Sequence, residues 1–406
     1  MSEAVGVLFI QTQSAFGADS AIHAHLMRAL DRSAFTVHAA CTVGDGPEKP
    51  PALGALEKIP NLKLRPTRFA PSLREKTLEA MLRNGARAAL VPRELLALRD
   101  YAKKERIRIV HSTDRPRDAA YAVTLAKLIG AKSVVHVHVK WSNEHGFLSK
   151  WGVRHADAVF GISEYVTDTV VATGKPRDRV HTVLNCVDPS RWDPTTDGSS
   201  IRREFSIPEG APLLASVSRL FSWKGQRELV RALALVREKV PNAYLMITGA
   251  DEWYVHGGSF TSELEQLASQ LGVADRVVFT GPRSDIPAIM AACDLFTLPS
   301  FEEPFGVVFL EAMAMKRAVI AVDNGGTPEV VEHGRAGLLS PPWDVPALAA
   351  NIVTLLENRE ERERMGEYGR ARVLEHFNAE RMAREAGAAY LRILGSDART
   401  GSSAAW

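Results

Sequence analysis

The chain has 406 residues, of which 46% are hydrophobic and 24% charged, and its formal net charge is +2. This length predicts two or three domains rather than one core, and the nearly neutral charge gives no field that would attract nucleic acid. The residues before the first apolar run lack the basic region of a signal peptide, and no apolar run reaches about 18 residues. We therefore expect a cytoplasmic protein without a membrane span.

The first half of the chain alternates short apolar runs with amphipathic segments. Continuous runs of Val, Ile and Leu are typical of strands covered on both faces, as in parallel α/β sheets. The predicted strands are Val5–Ile10, Phe35–Cys41, Ile107–His111, Ser133–Val139 and Ala158–Ile162. Between them the pattern predicts helices at Ser20–Leu30, Arg93–Glu105 and Asp118–Leu128.

An excess of basic residues falls between Lys63 and Arg108, where 13 Lys or Arg stand against 5 Asp or Glu. One interpretation is that these side chains lie on solvated helix faces. The other is contact with an anionic surface, such as a membrane leaflet or a phosphorylated acceptor. The second interpretation would place the protein peripherally at the inner membrane face.

The alternating pattern pauses at residues 187–210, which are rich in Pro, Gly, Asp and Ser and predict a linker. A second series of strands follows at Leu213–Ser218, Tyr244–Thr248, Arg276–Thr280, Asp294–Leu298 and Ala318–Val322. Two series predict an α/β protein with two doubly wound, Rossmann-like domains, residues 1–190 and 191–377, that face a central cleft. Glu357–Leu394 is predicted to be largely helical, and residues 396–406 to form a flexible tail.

Two glutamates follow the strand Asp294–Leu298, at the strand end where open α/β sheets bind ligands. If a helix begins at Pro304, Glu303 and Glu311 are separated by a rise of roughly 12 Å and a rotation of about 80°. The free N–H groups at the start of that helix would then seat a diphosphate, and the two carboxylates could hold the hydroxyls of sugars on either side. The N–H groups concerned are those near Phe305, Gly306 and Val307. The spacing alone also fits an ordinary helix with an acidic cap.

Two cations follow the first strand of the second series. Arg219 and Lys224 are five residues apart across a turn, so both can reach one anion, and a departing diphosphate needs such charges. Trp223 between them serves either packing or function. We expect no metal site, because the sequence has no Asp-x-Asp pair after a strand and no Cys/His cluster at metal-ligand spacing. Glycine motifs of nucleoside triphosphatases and nicotinamide enzymes are also absent from the sequence.

The first domain offers candidates for the acceptor side. Gly17 lies in a polar loop after the first strand, where its backbone could meet either a donor diphosphate or the acceptor. His136 and His138 alternate along a strand and share one face, and Asp114 could orient an acceptor hydroxyl. Arg283, after the strand Arg276–Thr280, is placed near the expected base of a nucleotide.

The sequence resembles glycosyltransferase family 4, whose members have the GT-B fold. The resemblance covers nearly the whole chain and is strongest from about Val183 to Leu339. It is carried by Pro299-Ser300, Glu303-x7-Glu311-Ala312-Met313-Ala314, Gly325-Gly326-Thr327-Pro328-Glu329 and Gly334-Arg335-Ala336-Gly337-Leu338-Leu339. Two departures are Lys316-Arg317, where the family often has a glycine, and the single Gly17, where it usually has a glycine pair.

This resemblance implies roles for the candidate residues. Glu303 would contact the donor hexose and Glu311 the ribose, Arg219 and Lys224 would bind the diphosphate, and His138 would lie beside the transferred sugar. The final helix, about residues 378–395, would join the N-terminal domain. His136 and Asn185 are then expected to be structural.

The expected reaction is a metal-independent transfer of a hexosyl group, with retention, from a nucleoside diphospho-sugar to an acceptor hydroxyl. No cofactor is expected, since the nucleotide sugar is a co-substrate. The acceptor would be a sugar, a lipid-linked molecule or a small molecule. Two alternatives stay open at this point, namely a nucleotide-sugar epimerase or phosphorylase on the same fold and an inactive nucleotide-sugar-binding protein. Uridine and guanosine donors are not separable from the sequence.

Overall fold

The computed structural model describes residues 3–44, 48–69, 91–251 and 259–400. The chain divides into two compact units. The first comprises Met1–Asn185 together with Ala379–Trp406, and the second comprises Cys186–Asn378. Each unit is a parallel β-sheet covered by helices, so both have the Rossmann-like architecture that the alternating pattern predicts.

The first unit contains a seven-stranded parallel sheet in the order β3-β2-β1-β4-β5-β6-β7. The strands are β1 Val5–Gln11, β2 Phe35–Thr42, β3 Lys63–Thr67, β4 Ile107–Thr113, β5 Lys132–Val137, β6 Ala158–Gly161 and β7 Val180–Thr182. The described helices are Ala18–Ala29, Pro51–Leu56, Val91–Lys104, Pro116–Ile129, Phe147–His155, Glu164–Ala172 and Ala379–Thr400, and Arg177–Arg179 forms a 3-10 turn.

The local sequence explains these elements. Every residue of β1 is buried, as expected for a strand that has helices on both faces of its sheet. The helix Pro116–Ile129 begins with a proline whose missing N–H costs nothing there, and it ends at Gly130, whose φ of 71° stops the helix. Two strands of this sheet were not predicted from the sequence, namely β3 and β7, and they are its edge strands.

The second unit contains a six-stranded parallel sheet in the order β10-β9-β8-β11-β12-β13. Its strands are β8 Leu213–Val217, β9 Tyr244–Thr248, β10 Val277–Gly281, β11 Leu295–Leu298, β12 Ala318–Val322 and β13 Gly337–Ser340. Its described helices are Ser199–Glu204, Gln226–Val236, Phe260–Gln270, Ile286–Ala292, Val307–Ala314, Thr327–Val330, Val345–Glu357 and Arg359–His376, with 3-10 turns at Pro189–Arg191, Ser222–Lys224 and Ala274–Arg276.

Residues 187–210 are not the open linker that their composition predicts. They contain the helix Ser199–Glu204, and Ile201 is buried in the same apolar cluster as Leu213. A Cβ atom at Gly198 would lie 2.2 Å from the backbone nitrogen of Ala292, so this segment packs closely against the rest of the second unit. The polar and turn residues here flank a short helix that packs on its neighbours. Composition alone does not distinguish such a segment from a linker.

The last helix belongs to the first unit and reaches further than predicted. Tyr390 is fully buried, and its ring lies 6.0 Å from that of Phe35. The predicted flexible tail, residues 396–406, is helical as far as Thr400, and residues 401–406 lie outside the described residues.

The basic segment between Lys63 and Arg108 is described only in part, because residues 70–90 lie outside the described residues. In the described part, Lys63 pairs with Glu105 at 2.6 Å and Arg99 with Asp100 at 2.7 Å. Across the described ranges, no helix is both long enough and apolar enough to cross a membrane.

Candidate functional site

In the second unit, the loop after β8 carries both predicted cations. The buried side chain of Gln226 fixes this loop, because its amide donates to Ser218 Oγ at 3.0 Å and to the Arg219 carbonyl at 3.2 Å. Arg219 is exposed, with its guanidinium 5.1 Å from the centre of the Phe221 ring. Lys224 ends the 3-10 turn Ser222–Lys224, just before the helix that begins at Gln226.

Lys224 and Glu303 form a salt bridge, with Nζ 2.6 Å from Oε2. Both side chains are nearly buried, with exposed fractions of 11% and 10%. The Phe301 N–H also donates to the Trp223 carbonyl at 2.7 Å, which ties the loop after β8 to the loop after β11. β8 and β11 are neighbours in the sheet. The fold therefore brings Lys224, predicted to bind phosphate, into direct contact with Glu303, predicted to bind sugar.

A third loop, after β12, holds the backbone of Glu303. The Gly326 N–H donates to the Glu303 carbonyl at 2.8 Å, and the Glu302 N–H donates to Asn324 Oδ1 at 3.1 Å. Gly325 has a φ of 62°, and a Cβ atom there would lie 2.5 Å from the Glu303 carbonyl oxygen. The glycine pair in the family motif therefore allows one backbone to approach another and sets the position of the carboxylate.

The helix after β11 begins later than predicted. It starts at Val307, so Pro304, Phe305 and Gly306 precede it. Gly306 has a φ of 85°, and a side chain there would collide with the ring of Phe309 at 2.4 Å. Phe305 is buried in the core at 1% exposure. Of these predicted residues only Val307 is helical, so any diphosphate seat lies at the turn that begins there.

Glu311 lies in the helix Val307–Ala314, but Glu303 does not, so the predicted rise of roughly 12 Å between them does not apply. Glu311 is half-buried, and burial raises the pKa of its carboxyl to about 7, against the opposing charge of Arg191. Arg191 belongs to the 3-10 turn Pro189–Arg191 and was missed at the sequence level, where nothing links it to Glu311.

Arg283 is engaged by two carboxylates. Its Nε and Nη2 donate to Asp285 at 2.8 and 2.7 Å, and its Nη1 and Nη2 donate to Glu204 at 2.5 and 3.0 Å. Hydrogen bonds to Asp285 and Glu204 raise its pKa above the ordinary value. The guanidinium therefore clamps the start of the helix Ile286–Ala292 to the helix Ser199–Glu204, and its placement beside a nucleotide base stays a prediction.

In the first unit, Gly17 precedes the helix Ala18–Ala29 and is exposed, with open space where a Cβ atom would be. Buried Asp118 fixes the loop before it, accepting the Thr12 N–H at 3.1 Å and the Thr113 hydroxyl at 2.8 Å. This arrangement ties the loop after β1 to the end of β4. Both lie at the carboxyl end of the sheet.

Asp114 and His138, both predicted, also meet at this end. Asp114 is buried and accepts the His138 N–H at 3.2 Å. Burial raises the pKa of Asp114 to about 7, and the nearby charge of Asp19 adds to this effect. Burial lowers the pKa of His138 well below its ordinary value, so its imidazole is neutral near pH 7 and can accept a hydrogen bond.

His23 lies in contact with His138, and sequence reasoning missed it. The two Nε2 atoms are 3.5 Å apart. His23 shares the buried face of its helix with Leu26, Met27 and Leu30, at three, four and seven residues further on. That helical spacing is the signal that could have placed this histidine on the core face.

Comparison with protein families gives two matches that together span most of the chain. Residues 19–186 match the family described as glycosyl transferase 4-like domain. Residues 197–372 match the family described as glycosyl transferases group 1. The second match contains the loops after β8, β11 and β12.

Curated relatives lie in the same group. The chain is 33% identical over 269 residues to a GDP-mannose-dependent alpha-(1-6)-phosphatidylinositol monomannoside mannosyltransferase of Mycolicibacterium smegmatis, covering 62% of this chain and 68% of that protein. It is 31% identical over 250 residues to an N-acetyl-alpha-D-glucosaminyl L-malate synthase of Bacillus anthracis. That match covers 62% of this chain and 63% of the relative, so it spans slightly less than two thirds of the relative's length.

Solved structures share the fold along nearly the whole chain. Anabaena HepE, crystallised in complex with UDP, superposes with a TM-score of 0.76 at 23% identity, covering 95% of this chain and 99% of that one. A sucrose-phosphate synthase from Thermosynechococcus elongatus gives a TM-score of 0.74 at 22% identity, covering 97% and 100%. With two Rossmann-like units and these relatives, the chain belongs to the group 1 glycosyltransferases of family 4, which have the GT-B fold.

Proposed function

We propose that the protein transfers a hexosyl group from a nucleoside diphospho-sugar to an acceptor hydroxyl, with retention of the anomeric configuration and without a metal ion. The observation that carries this proposal is the contact between Lys224 and Glu303. It supports a donor site at the carboxyl ends of β8 and β11, because a cation for the diphosphate and a carboxylate for the sugar stand side by side there.

The donor would be held as follows. Arg219, which is exposed, and Lys224, which is nearly buried, would neutralise the diphosphate, whose charge grows as the glycosidic bond breaks. When the donor enters, Lys224 would exchange Glu303 for a phosphate oxygen, and Glu303 would turn to the hydroxyls of the hexose. The helix start at Val307 would add backbone N–H groups, and Glu311 would accept hydrogen bonds from the ribose hydroxyls.

The acceptor would bind to the first unit, where Asp114 and His138 lie together at the strand ends. No residue of the chain is assigned as a nucleophile, so the acceptor oxygen would attack from the face that the diphosphate leaves. Its proton would pass to an oxygen of the departing phosphate, while the bond from the anomeric carbon to the phosphate oxygen breaks. Neutral His138 would accept a hydrogen bond from a hydroxyl of the transferred sugar.

The base, the hexose and the acceptor are proposed only as classes. GDP-mannose is named for one relative and UDP for one structural neighbour, so both donor types belong in a test. A lipid-linked acceptor, and with it a peripheral membrane contact through the basic Lys63–Arg108 region, is proposed beside sugar and small-molecule acceptors. The reaction would take place in the cytoplasm.

The decisive experiment is a donor and acceptor panel assayed for release of nucleoside diphosphate, with and without EDTA. We expect release that depends on the acceptor and is insensitive to EDTA, and a product whose one-bond carbon–proton coupling at the anomeric centre in NMR shows the same α or β configuration as the donor. An inverted product contradicts retention, and loss of turnover in EDTA that added magnesium or manganese restores contradicts metal independence. Epimerised donor without acceptor identifies an epimerase, phosphate-dependent turnover identifies a phosphorylase, and donor binding without transfer identifies a binding protein.

A further inference from the structure

A cluster of three buried histidines lies in the first unit and has no part in the proposed transfer. His23 comes from the helix Ala18–Ala29, His111 from β4 and His136 from β5, and we call them the histidine cluster. Their exposed fractions are 1%, 0% and 0%. Each offers one ring nitrogen such that the three atoms lie within 4.8 Å of one another.

The hydrogen bonding of the histidine cluster is incomplete. His111 bonds through Nδ1 to the hydroxyl of Tyr390 at 2.7 Å, and its Nε2 has no partner among the residues described. In the described part of the chain, neither ring nitrogen of His136 has a side-chain hydrogen-bond partner, and the polar group beside this ring is the backbone of Val183. An unsatisfied buried polar group costs about 1–3 kcal/mol, so apolar side chains of similar size would pack here at lower cost. Buried ring nitrogens that lie this close together with incomplete hydrogen bonding indicate a ligand that satisfies them.

The chemistry of the cluster selects the kind of ligand. Its donors are imidazole nitrogens without a carboxylate, a set that suits first-row transition ions such as zinc and does not suit magnesium or calcium. The bond between His111 and Tyr390 is also the arrangement expected at a metal site, where the second ring nitrogen of a ligating histidine is held by a neighbouring polar group.

We propose that the histidine cluster binds one divalent transition-metal ion, with zinc as the best fit, through one ring nitrogen each of His23, His111 and His136. Ligands at the usual zinc–nitrogen distance of about 2.0–2.1 Å in a tetrahedral site lie about 3.3 Å apart, so the rings need to move by roughly an ångström. A water molecule would complete the coordination.

This ion would have a structural role that is separate from the diphosphate chemistry. It would join the helix Ala18–Ala29 to two neighbouring strands, β4 and β5, and would hold the imidazole of His138 through its neighbour His23. The proposed neutralisation of the diphosphate by Arg219 and Lys224 takes place in the other unit and needs no metal. The proposal therefore stands or falls independently of the donor site.

The test uses the full chain without a histidine tag, stripped with EDTA and titrated with zinc against a chromophoric chelator. We expect one zinc ion per chain by mass spectrometry of the metal, and a higher midpoint of thermal unfolding with zinc. Cobalt in place of zinc should give the strong visible absorption of a four-coordinate site.

His136→Phe keeps an aromatic ring next to Phe160 and should lower the zinc affinity at least about 100-fold. Tyr390→Phe should lower it by about 10–100-fold, as loss of a supporting hydrogen bond does.

The matched control is His155→Phe, because His155 is exposed in the same unit and is not a member of the cluster. This variant should bind zinc as the unchanged chain does. Failure of the unchanged chain to bind one equivalent overturns the proposal, as does equal affinity in His136→Phe, which would mean binding at surface histidines only. If His136→Phe does not fold, as judged by circular dichroism, the proposal is tested by the cobalt spectrum of the unchanged chain and by the zinc affinity of Tyr390→Phe. A spectrum without four-coordinate absorption, or an unchanged affinity in Tyr390→Phe, then overturns it.

Discussion

At the scale of single residues, Lys224 and Glu303 are each other's counter-ion. Holding both charges near the surface of the core costs desolvation, and each limits the cost of the other. A donor that brings its own negative phosphates and its own hydroxyls can take over both side chains. Donor binding can therefore replace this ion pair without leaving either charge unpaired.

Replacing Lys224 tests its part in the reaction. Lys224→Met should lower kcat/KM about 10²–10³-fold, because a lost contact to the leaving group costs roughly 3–4 kcal/mol of transition-state stabilisation. Release of nucleoside diphosphate measures this effect. Lys239→Met, at an exposed position of the same unit, is the control and should keep full activity. A folded Lys224→Met protein with more than a third of normal turnover contradicts the assignment.

Replacing Glu311 tests the origin of its raised pKa. The pKa of about 7 lies above the ordinary 4.5, so the folded state binds this proton more tightly than the unfolded state. The free energy of unfolding therefore falls as pH rises from about 4.5 to 7, and the cost is fully present above that. Glu311→Gln removes this cost, and should be more stable than the unchanged protein at pH 8 by up to about 3 kcal/mol but equal to it below about pH 4.5.

The same variant should bind the donor less tightly, because a carboxylate accepts ribose hydroxyls more strongly than an amide does. Thermal unfolding at the two pH values and calorimetric titration with the donor measure both effects. Glu357→Gln, at an exposed position, serves as control and should change neither. A stability difference that is the same at both pH values would mean that Glu311 does not titrate as inferred.

At the scale of elements, the helix Val307–Ala314 ends in a Schellman motif. The Arg317 N–H donates to the Ala312 carbonyl and the Lys316 N–H to the Met313 carbonyl, both at 2.9 Å. Lys316 has a φ of 55°, the left-handed conformation that glycine adopts without cost. The left-handed backbone at this position accounts for the glycine that the family often has there.

Lys316→Gly should therefore be more stable than Lys316→Ala by about 1 kcal/mol. Both variants lose the salt bridge of Lys316 to Glu367, so their difference isolates the strain of a Cβ atom in the left-handed conformation. The measurement is the midpoint of urea unfolding, converted to a free energy. Equal stability of the two would show that the backbone relaxes out of this conformation.

The elements also show how far the sequence could predict the structure. Central strands such as β1 and β12 are fully buried, so their continuous apolar runs identify them. The edge strand β3 contains Lys63, Arg65 and Pro66, and carries no such pattern. The helix start was misplaced because Pro304 suits a first turn, whereas Gly306 adopts a conformation that a sequence pattern does not reveal.

The candidate site was predictable where a motif carried it. Glu303, Lys224, Asp114 and His138 were all predicted as site residues, and the structure puts them in two contacting pairs, while their roles stay predictions. The histidine cluster was not, since its members are 88 and 25 residues apart and no local spacing connects them. Only the pairing of β4 with β5 and the packing of the helix Ala18–Ala29 bring them together.

At the scale of the whole molecule, the first unit depends on the far end of the chain. The helix Ala379–Thr400 buries Met382, Ala386 and Tyr390 in that unit. Ending the chain after Asn378 should therefore lower the unfolding temperature of the first unit strongly, or prevent its folding, and leave donor binding by the second unit within about twofold. Scanning calorimetry and nucleotide titration measure the two effects. A chain that ends after Thr400 is the control, and parallel loss of nucleotide binding would contradict this independence.

The division of the chain also has a consequence for synthesis on the ribosome. About 190 residues, Cys186–Asn378, separate the two parts of the first unit. At a translation rate of 5–20 residues per second, roughly 10–40 s pass between synthesis of the N-terminal part and synthesis of the helix that completes its unit. During this interval, the surface that will receive Tyr390 is open to chaperones and to neighbouring nascent chains. Slow translation near the end of the message should therefore favour aggregation of this protein more than slow translation near its beginning.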